Sequence, residues 1–167
     1  HILGDIVNSN PVFVGVPNSA YFSINGYSDF VTAQANRPGV LYVGANDGML
    51  HAFDANTGRE RFAFIPNAVF NNLSTLADTT YNQSHLYFVD GSPQAADVQF
   101  NDSSWHTLVV GGEGGGGNSI YALDVTNPAA INSENNLKTS IIKFYNSNYD
   151  TYLKTSLNIF SDHLRFS

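Results

Sequence analysis

Leu41 to Gly58 reads LYVGANDGMLHAFDANTG, two apolar runs separated by one turn signal and closed by another. Val40 to Gly44 is a short strand candidate, Asn46-Asp47-Gly48 supplies residues that tolerate the positive φ angles of a tight hairpin, and Met49 to Phe53 runs back. Asp54-Ala55-Asn56-Thr57-Gly58 then predicts a second turn. There the Asp54 carboxylate accepts backbone N–H groups two residues on, and Gly58 takes the left-handed exit. Arg59 to Ile65 (RERFAFI) returns as a third strand. Upstream, Asn10 to Gly15 (NPVFVG) is another, reached across a polar, aromatic-dotted loop from Val16 to Pro38. Residues 10 to 65 therefore predict four consecutive antiparallel strands.

A helical signal follows at Asn67 to Ala77, where Asn67 is placed to cap and Val69, Phe70, Leu73 and Leu76 recur at helical spacing. The strand order then repeats. Val89 to Phe100 (VDGSPQAADVQF) is a strand entered through the turn residues Asp90, Gly91, Ser92 and Pro93. Trp105 to Gly112 (WHTLVVGG) is a second strand, and Asn118 to Pro128 (NSIYALDVTNP) is a third, closed by Asp124. Both copies read Leu-x-Val-Gly, a glycine-bearing turn, and an apolar strand ending Ala-x-Asp. Ser140 to Tyr145 (SIIKFY) is the expected fourth strand of the second unit.

Two such units, about residues 10–65 and 89–145, predict an all-β fold: a partial β-propeller of about two four-stranded antiparallel blades with quinoprotein-like repeats and a short helix between them. Residues 146–167 read as a divergent tail. Two blades do not close a ring of at least four, so residues 1–167 are expected to be part of a larger propeller. The start at His1, without a signal-peptide pattern, reads as an excerpt or a processed form.

Composition narrows the function classes. Seven Lys plus Arg against fourteen Asp plus Glu give a net charge of -7, a field that repels phosphate backbones and anionic membranes, so no nucleic acid is expected as partner. The absence of Cys removes disulfides, thiolate zinc sites and cysteine nucleophiles. No apolar run reaches the roughly 20 residues of a transmembrane segment.

The motifs favour structure over chemistry. AFDANTG, Ala52 to Gly58, resembles quinoprotein repeats, yet a capped turn at Asp54, Thr57 and Gly58 accounts for each residue type. The spacing Asp54-x-Asn56-x-Gly58-x-Glu60 is too poor in ligands for a calcium loop and has Arg59 and Arg61 beside it. Glu113-Gly114-Gly115-Gly116-Gly117 lacks the Gly-Lys-Ser/Thr of a phosphate loop and reads as a flexible hairpin loop suited to close approach by a neighbouring segment. His1, His51, His85, His106 and His163 show no metal spacing and read as structural. Ser92 sits before Pro93 and is no hydrolase elbow. No catalytic, cofactor-binding or metal residue is assigned.

Five ordered blocks carry a family resemblance: LGDIVNSNPVFVG (Leu3 to Gly15), PGVLYVGANDGMLHAFDANTG (Pro38 to Gly58), FIPNAVFNNL (Phe64 to Leu73), YFVDGSP (Tyr87 to Pro93) and LVVGGEGGGGNSIYALDVTNP (Leu108 to Pro128). Together they resemble the C-terminal β-propeller of type IV pilus tip-associated adhesin and biogenesis proteins of the PilC/PilY type. The resemblance implies a non-enzymatic, exported protein of a Gram-negative bacterium, at the pilus tip, cell surface, outer membrane or periplasm. It further implies support of pilus biogenesis against retraction, surface attachment and twitching motility. Minor pilins of the pilus tip complex, and host or abiotic surfaces, are the implied partners. The calcium loop of some members has no counterpart here, which leaves calcium to the longer parent protein. Two other readings remain open from residues alone: a fragment of a quinone-dependent dehydrogenase, and a periplasmic scaffold for outer-membrane assembly acting by strand addition.

Overall fold

The structure is a computed structural model in which residues 3–18, 21–81 and 85–142 are described. Strands β1 (Val12–Val14), β2 (Val40–Gly44), β3 (Leu50–Asp54) and β4 (Glu60–Phe64) form one antiparallel sheet in chain order. Strands β5 (Gln94–Gln99), β6 (Trp105–Gly112) and β7 (Ile120–Asp124) form a second, also in chain order. Within each sheet every strand pairs with its successor, the meander that makes a propeller blade, and the chain is a partial β-propeller.

The β2–β3 hairpin differs from expectation in its turn. Only Gly48 takes a positive φ, +91°, while Asn46 and Asp47 keep ordinary angles. The loop is closed by Gly48 N–H to the Ala45 carbonyl at 3.3 Å and Ala45 N–H to that of Met49 at 3.0 Å. A turn followed by one left-handed glycine needs no strain at the two polar residues, which leaves their side chains free to bond elsewhere.

Three further elements depart from the sequence reading. Helix α1 (Tyr27–Ala33) occupies the stretch expected to be loop, because Tyr27 and Phe30, three residues apart, bury one face against the second sheet. The segment Asn67–Ala77 is a 3₁₀ run following Pro66, and Asn67 is inside it rather than capping it. The expected fourth strand of the second blade begins as helix: α2 (Glu134–Ser140), capped by Ser133, includes Ser140. Ile141 then makes a single bridge to Leu123, and Ile142 N–H donates to the Ala122 carbonyl at 2.9 Å. Residues 143–145 and the tail 146–167 lie outside the described residues.

The sheets pack face to face. Val40, Tyr42, Leu50 and Ala52 of the first meet Val109, Tyr121 and Leu123 of the second in one buried cluster. Phe64 and Tyr121 touch with ring centroids 5.5 Å apart.

The strand registers correct the repeat alignment. Matching the two Leu-x-Val-Gly runs sets Leu41 against Leu108, but Leu41 pairs with Phe53 while Val109 pairs with Leu123, the equivalent of Phe53 in Ala-x-Asp. The true equivalent of Leu41 is Val109. In a pleated strand one residue decides the face, so this slip matters. Leu41 and Phe53 point away from the second sheet, together with Phe13 of β1, whereas Val109 and Leu123 point toward the first. Equivalent residues thus face the same way around the stack.

Candidate functional site

The turn residues hold local geometry. The Asp54 carboxylate accepts from the backbone N–H groups of Asn56 at 3.0 Å and Thr57 at 2.9 Å and from the Thr57 hydroxyl at 3.0 Å. Arg61 reaches its other oxygen at 2.5 Å. The Thr57 N–H and the Arg61 guanidinium hold the Asp54 carboxyl down at about 2. Gly58 closes the turn at φ +68°. Asp124 ends the equivalent strand and accepts from Thr126 N–H at 3.0 Å and its hydroxyl at 2.6 Å, with His106 on its second oxygen at 2.6 Å.

Asp90, Gly91 and Ser92 do more than turn the chain. Asp90, 3% exposed, accepts both the backbone and the side-chain N–H of Asn8, at 3.1 and 2.7 Å. The Ser9 hydroxyl donates to the Gly91 carbonyl at 3.1 Å and accepts from Gly44 N–H at 2.9 Å, and Asn10 N–H donates to the Ser92 hydroxyl at 2.9 Å. Asn8-Ser9-Asn10-Pro11 before β1 and Asp90-Gly91-Ser92-Pro93 before β5 therefore run side by side. Pro93 leads directly into β5. The glycine-rich turn closes on the same place. Asp90 N–H donates to the Glu113 carbonyl at 3.1 Å, and a methyl group at Gly116 would overlap the Phe88 carbonyl. The approach that the glycines permit is thus by the chain's own preceding segment. The Glu113 carboxylate is buried and accepts from the Ser119 hydroxyl and N–H.

Sequence reasoning missed the histidines' partners. His51, fully buried, has Nδ1 2.5 Å from Glu60 and Nε2 3.1 Å from both Asp47 oxygens. Asp47 is four residues away across the hairpin, a legible signal. Glu60 is opposite Phe53 on the next strand, a neighbour that only the register reveals.

In the second blade Ser104, His106 and Asp124 line up as a nucleophilic triad would, with Oγ to Nε2 at 2.8 Å and Nδ1 to Oδ2 at 2.6 Å. The hydrogen bonds argue against that chemistry. The Ser104 hydroxyl donates its one proton to Asp102 at 2.6 Å, and its backbone N–H, a natural oxyanion donor, is given to the same carboxylate at 3.0 Å. The arrangement is a carboxylate-to-carboxylate chain through His106 and Ser104.

A last network ties the blades together. Arg37, 8% exposed, donates from Nε to the Gly15 carbonyl at 2.7 Å and from Nη1 to the Thr107 hydroxyl at 2.5 Å. The Thr107 hydroxyl donates to Asp97 at 2.5 Å, and the Tyr27 hydroxyl donates to the other Asp97 oxygen at 2.6 Å. Burial, then Asp97, raises the Tyr27 phenol far above its ordinary range. Trp105 packs on Tyr27 with centroids 4.7 Å apart and donates to the Asn25 carbonyl at 3.1 Å. Among the described residues no three or more His, Asp or Glu converge to hold a metal ion, and no helix is long and apolar enough to cross a membrane. A shallow cleft of about 320 Å³ lies between β4 and α2.

Comparison with known proteins places these features. The PilY1 beta-propeller domain family matches residues 3–150. A type IV pilus biogenesis factor PilY1 homolog of Xylella fastidiosa is 48% identical over 136 residues, covering 78% of this chain and 11% of its own length. The type IV pilus biogenesis factor PilY1 of Pseudomonas aeruginosa PAO1 is 47% identical over 137 residues, covering 78% of this chain and 12% of its own. The crystal structure of the Pseudomonas aeruginosa PilY1 C-terminal domain superposes with a TM-score of 0.55 at 41% identity, covering 70% of this chain and 23% of that one. The chain thus spans about a tenth of the length of these curated relatives.

Proposed function

Because this chain belongs to the PilY1 beta-propeller family, we propose that it is a non-enzymatic blade pair of a type IV pilus biogenesis factor, working through protein contacts. The observation that carries this reading is how the conspicuous polar groups are spent. Asp54, Asp90, Asp124 and Glu113 each hold backbone or hydroxyl donors of the fold, and the triad-like constellation Ser104-His106-Asp124 has its hydroxyl proton and its N–H committed to Asp102. A scaffold whose acidic side chains are spent on its own turns and loops suits assembly better than turnover.

The fuller reading is an exported protein of the pilus tip and cell surface that supports pilus assembly against retraction, contacts minor pilins, and contributes to surface attachment and twitching motility. Any calcium dependence belongs to the longer parent protein.

The test is an in-frame deletion of this segment in the parent gene, with surface pili counted in retracting and retraction-deficient backgrounds. Loss of pili in the first and recovery in the second supports the proposal. Unchanged piliation, attachment and twitching would remove it.

A further inference from the structure

Leu3 to Asn10 runs as a strap across the same end of both sheets. Its later part is held by Asp90, Gly91 and Ser92 of the second blade. Its first part is held by the β2–β3 turn of the first blade. Gly4 N–H donates to Asp47 at 2.9 Å, and Asn46 gives its backbone N–H to the Asp5 carbonyl at 2.9 Å and its side-chain N–H to the Asp5 carboxylate at 3.1 Å.

Asp47 is positioned in turn by His51. An ionised carboxylate only accepts hydrogen bonds, so a carboxylate at hydrogen-bond distance from each ring nitrogen requires a proton at each. The Glu60 and Asp47 oxygens stand at 2.5 and 3.1 Å on opposite sides of the ring, which also prevents them from converging on one metal ion. The buried imidazolium is therefore a built part of the strap's anchorage.

We propose that Asp47, His51 and Glu60 form a proton-held latch that fastens the Leu3–Asp5 end of the strap to the first blade and lets it go when His51 loses its proton.

Among the described residues, the titratable groups facing the ring are Asp47 from the turn and Glu60 from β4. β2 presents Val43 and β4 presents Ala63 opposite His51, and Phe53 stacks on the ring at 5.8 Å. The strap's own acid, Asp5, turns to Asn46 and His85, and Arg61 of β4 is given to Asp54. Burial alone lowers the His51 pKa, but the hydrogen bonds and charges of Asp47 and Glu60 outweigh it and the net direction is up. A raised folded-state value means that the latch contributes fully below the ordinary histidine range and is lost as pH rises through the raised value. Release frees a segment whose Leu3, Ile6 and Val7 are already about half exposed.

The experiment is NMR on the 167-residue chain, reading the protonation of the His51 ring nitrogens and the exchange protection of the Gly4 amide across pH, corrected for intrinsic exchange. Gly4 protection is expected to fall by about tenfold for each pH unit between the ordinary histidine range and the His51 transition, and to level off above it, while the Val109 and Leu123 amides hold. His51→Gln is expected to leave Gly4 weakly protected at every pH, and Glu60→Gln to move the transition down if His51→Gln does not fold. Constant Gly4 protection from below the ordinary histidine range through the His51 transition overturns the latch. So does a simultaneous fall at Val109, or a His51 ring with one protonated nitrogen at neutral pH.

Discussion

Asp54 and Asp124 close equivalent strands with the same side chain and different partners. Each folds a turn around one oxygen, but the other oxygen meets Arg61 in the first blade and His106 in the second. The motif legible in sequence is the turn; the second partner arrives from a neighbouring strand whose register no local pattern reveals. Asp54→Ala removes three accepted turn bonds and Arg61's partner, so the thermal midpoint is expected to drop modestly without change of fold, which circular dichroism melting checks. Gly116 sets a stricter limit. A Cβ there meets the Phe88 carbonyl, backbone that does not swing away, so Gly116→Ala is expected to cost about 1–3 kcal/mol in urea unfolding. The glycines themselves announce close approach, but the approaching residue, Phe88, is distant along the chain and invisible in the local sequence.

At the scale of elements, the hairpins β2–β3 and β3–β4 follow from alternation and turn residues, whereas α1 does not. Its apolar residues are few and its stability comes from packing Tyr27 and Phe30 beside Trp105. Arg37, just past α1, fixes that packing to both blades through Gly15 and Thr107. Arg37→Met keeps most of the stem's apolar contact and removes the charged hydrogen bonds, so it is expected to cost about 2 kcal/mol by chemical denaturation. Leu123, fully buried between the sheets, tests the other contact. Leu123→Ala is expected to cost about 2–5 kcal/mol in the same measurement. α2 replaces the start of an expected strand because Ser133 caps and Glu134 pairs with Lys138 one turn on at 2.7 Å, local signals that the apolar run Ile141-Ile142 outweighed in the reading.

For the whole molecule, charge and exposed apolar surface make the predictions. Asp5, Asp47, Asp54, Asp78 and Asp102 all have carboxyl pKa values lowered by hydrogen bonds made in the folded state, in Asp5 and Asp47 against the opposing effect of burial. Depressed folded-state values stabilise above the ordinary carboxylate range and lose that contribution as pH falls through them. The urea midpoint is therefore expected to decline from about pH 4 toward about pH 2. The outward face of the first sheet carries Phe13, 59% exposed, with Leu41 and Phe53 across the strands. Its equivalent in the second sheet, Val109 and Leu123, is covered by the first. A face of that composition with Phe13 exposed is expected to bind an apolar dye, and Phe13→Ser to reduce the signal while leaving the melting midpoint nearly unchanged.

The sequence by itself determined the order of the seven strands, the turn positions and the two-sheet repeat, because alternation, Asp/Asn/Gly turn chemistry and aromatic content act over a few neighbouring residues. The ordered blocks likewise sufficed for the family. Only the tertiary structure decided the one-residue slip between the repeats, the pairing of Asn8-Ser9-Asn10 with Asp90-Gly91-Ser92, and the burial of His51 between Asp47 and Glu60. Each of these depends on register or on contacts across tens of residues, where a single step along a pleated strand exchanges one face for the other.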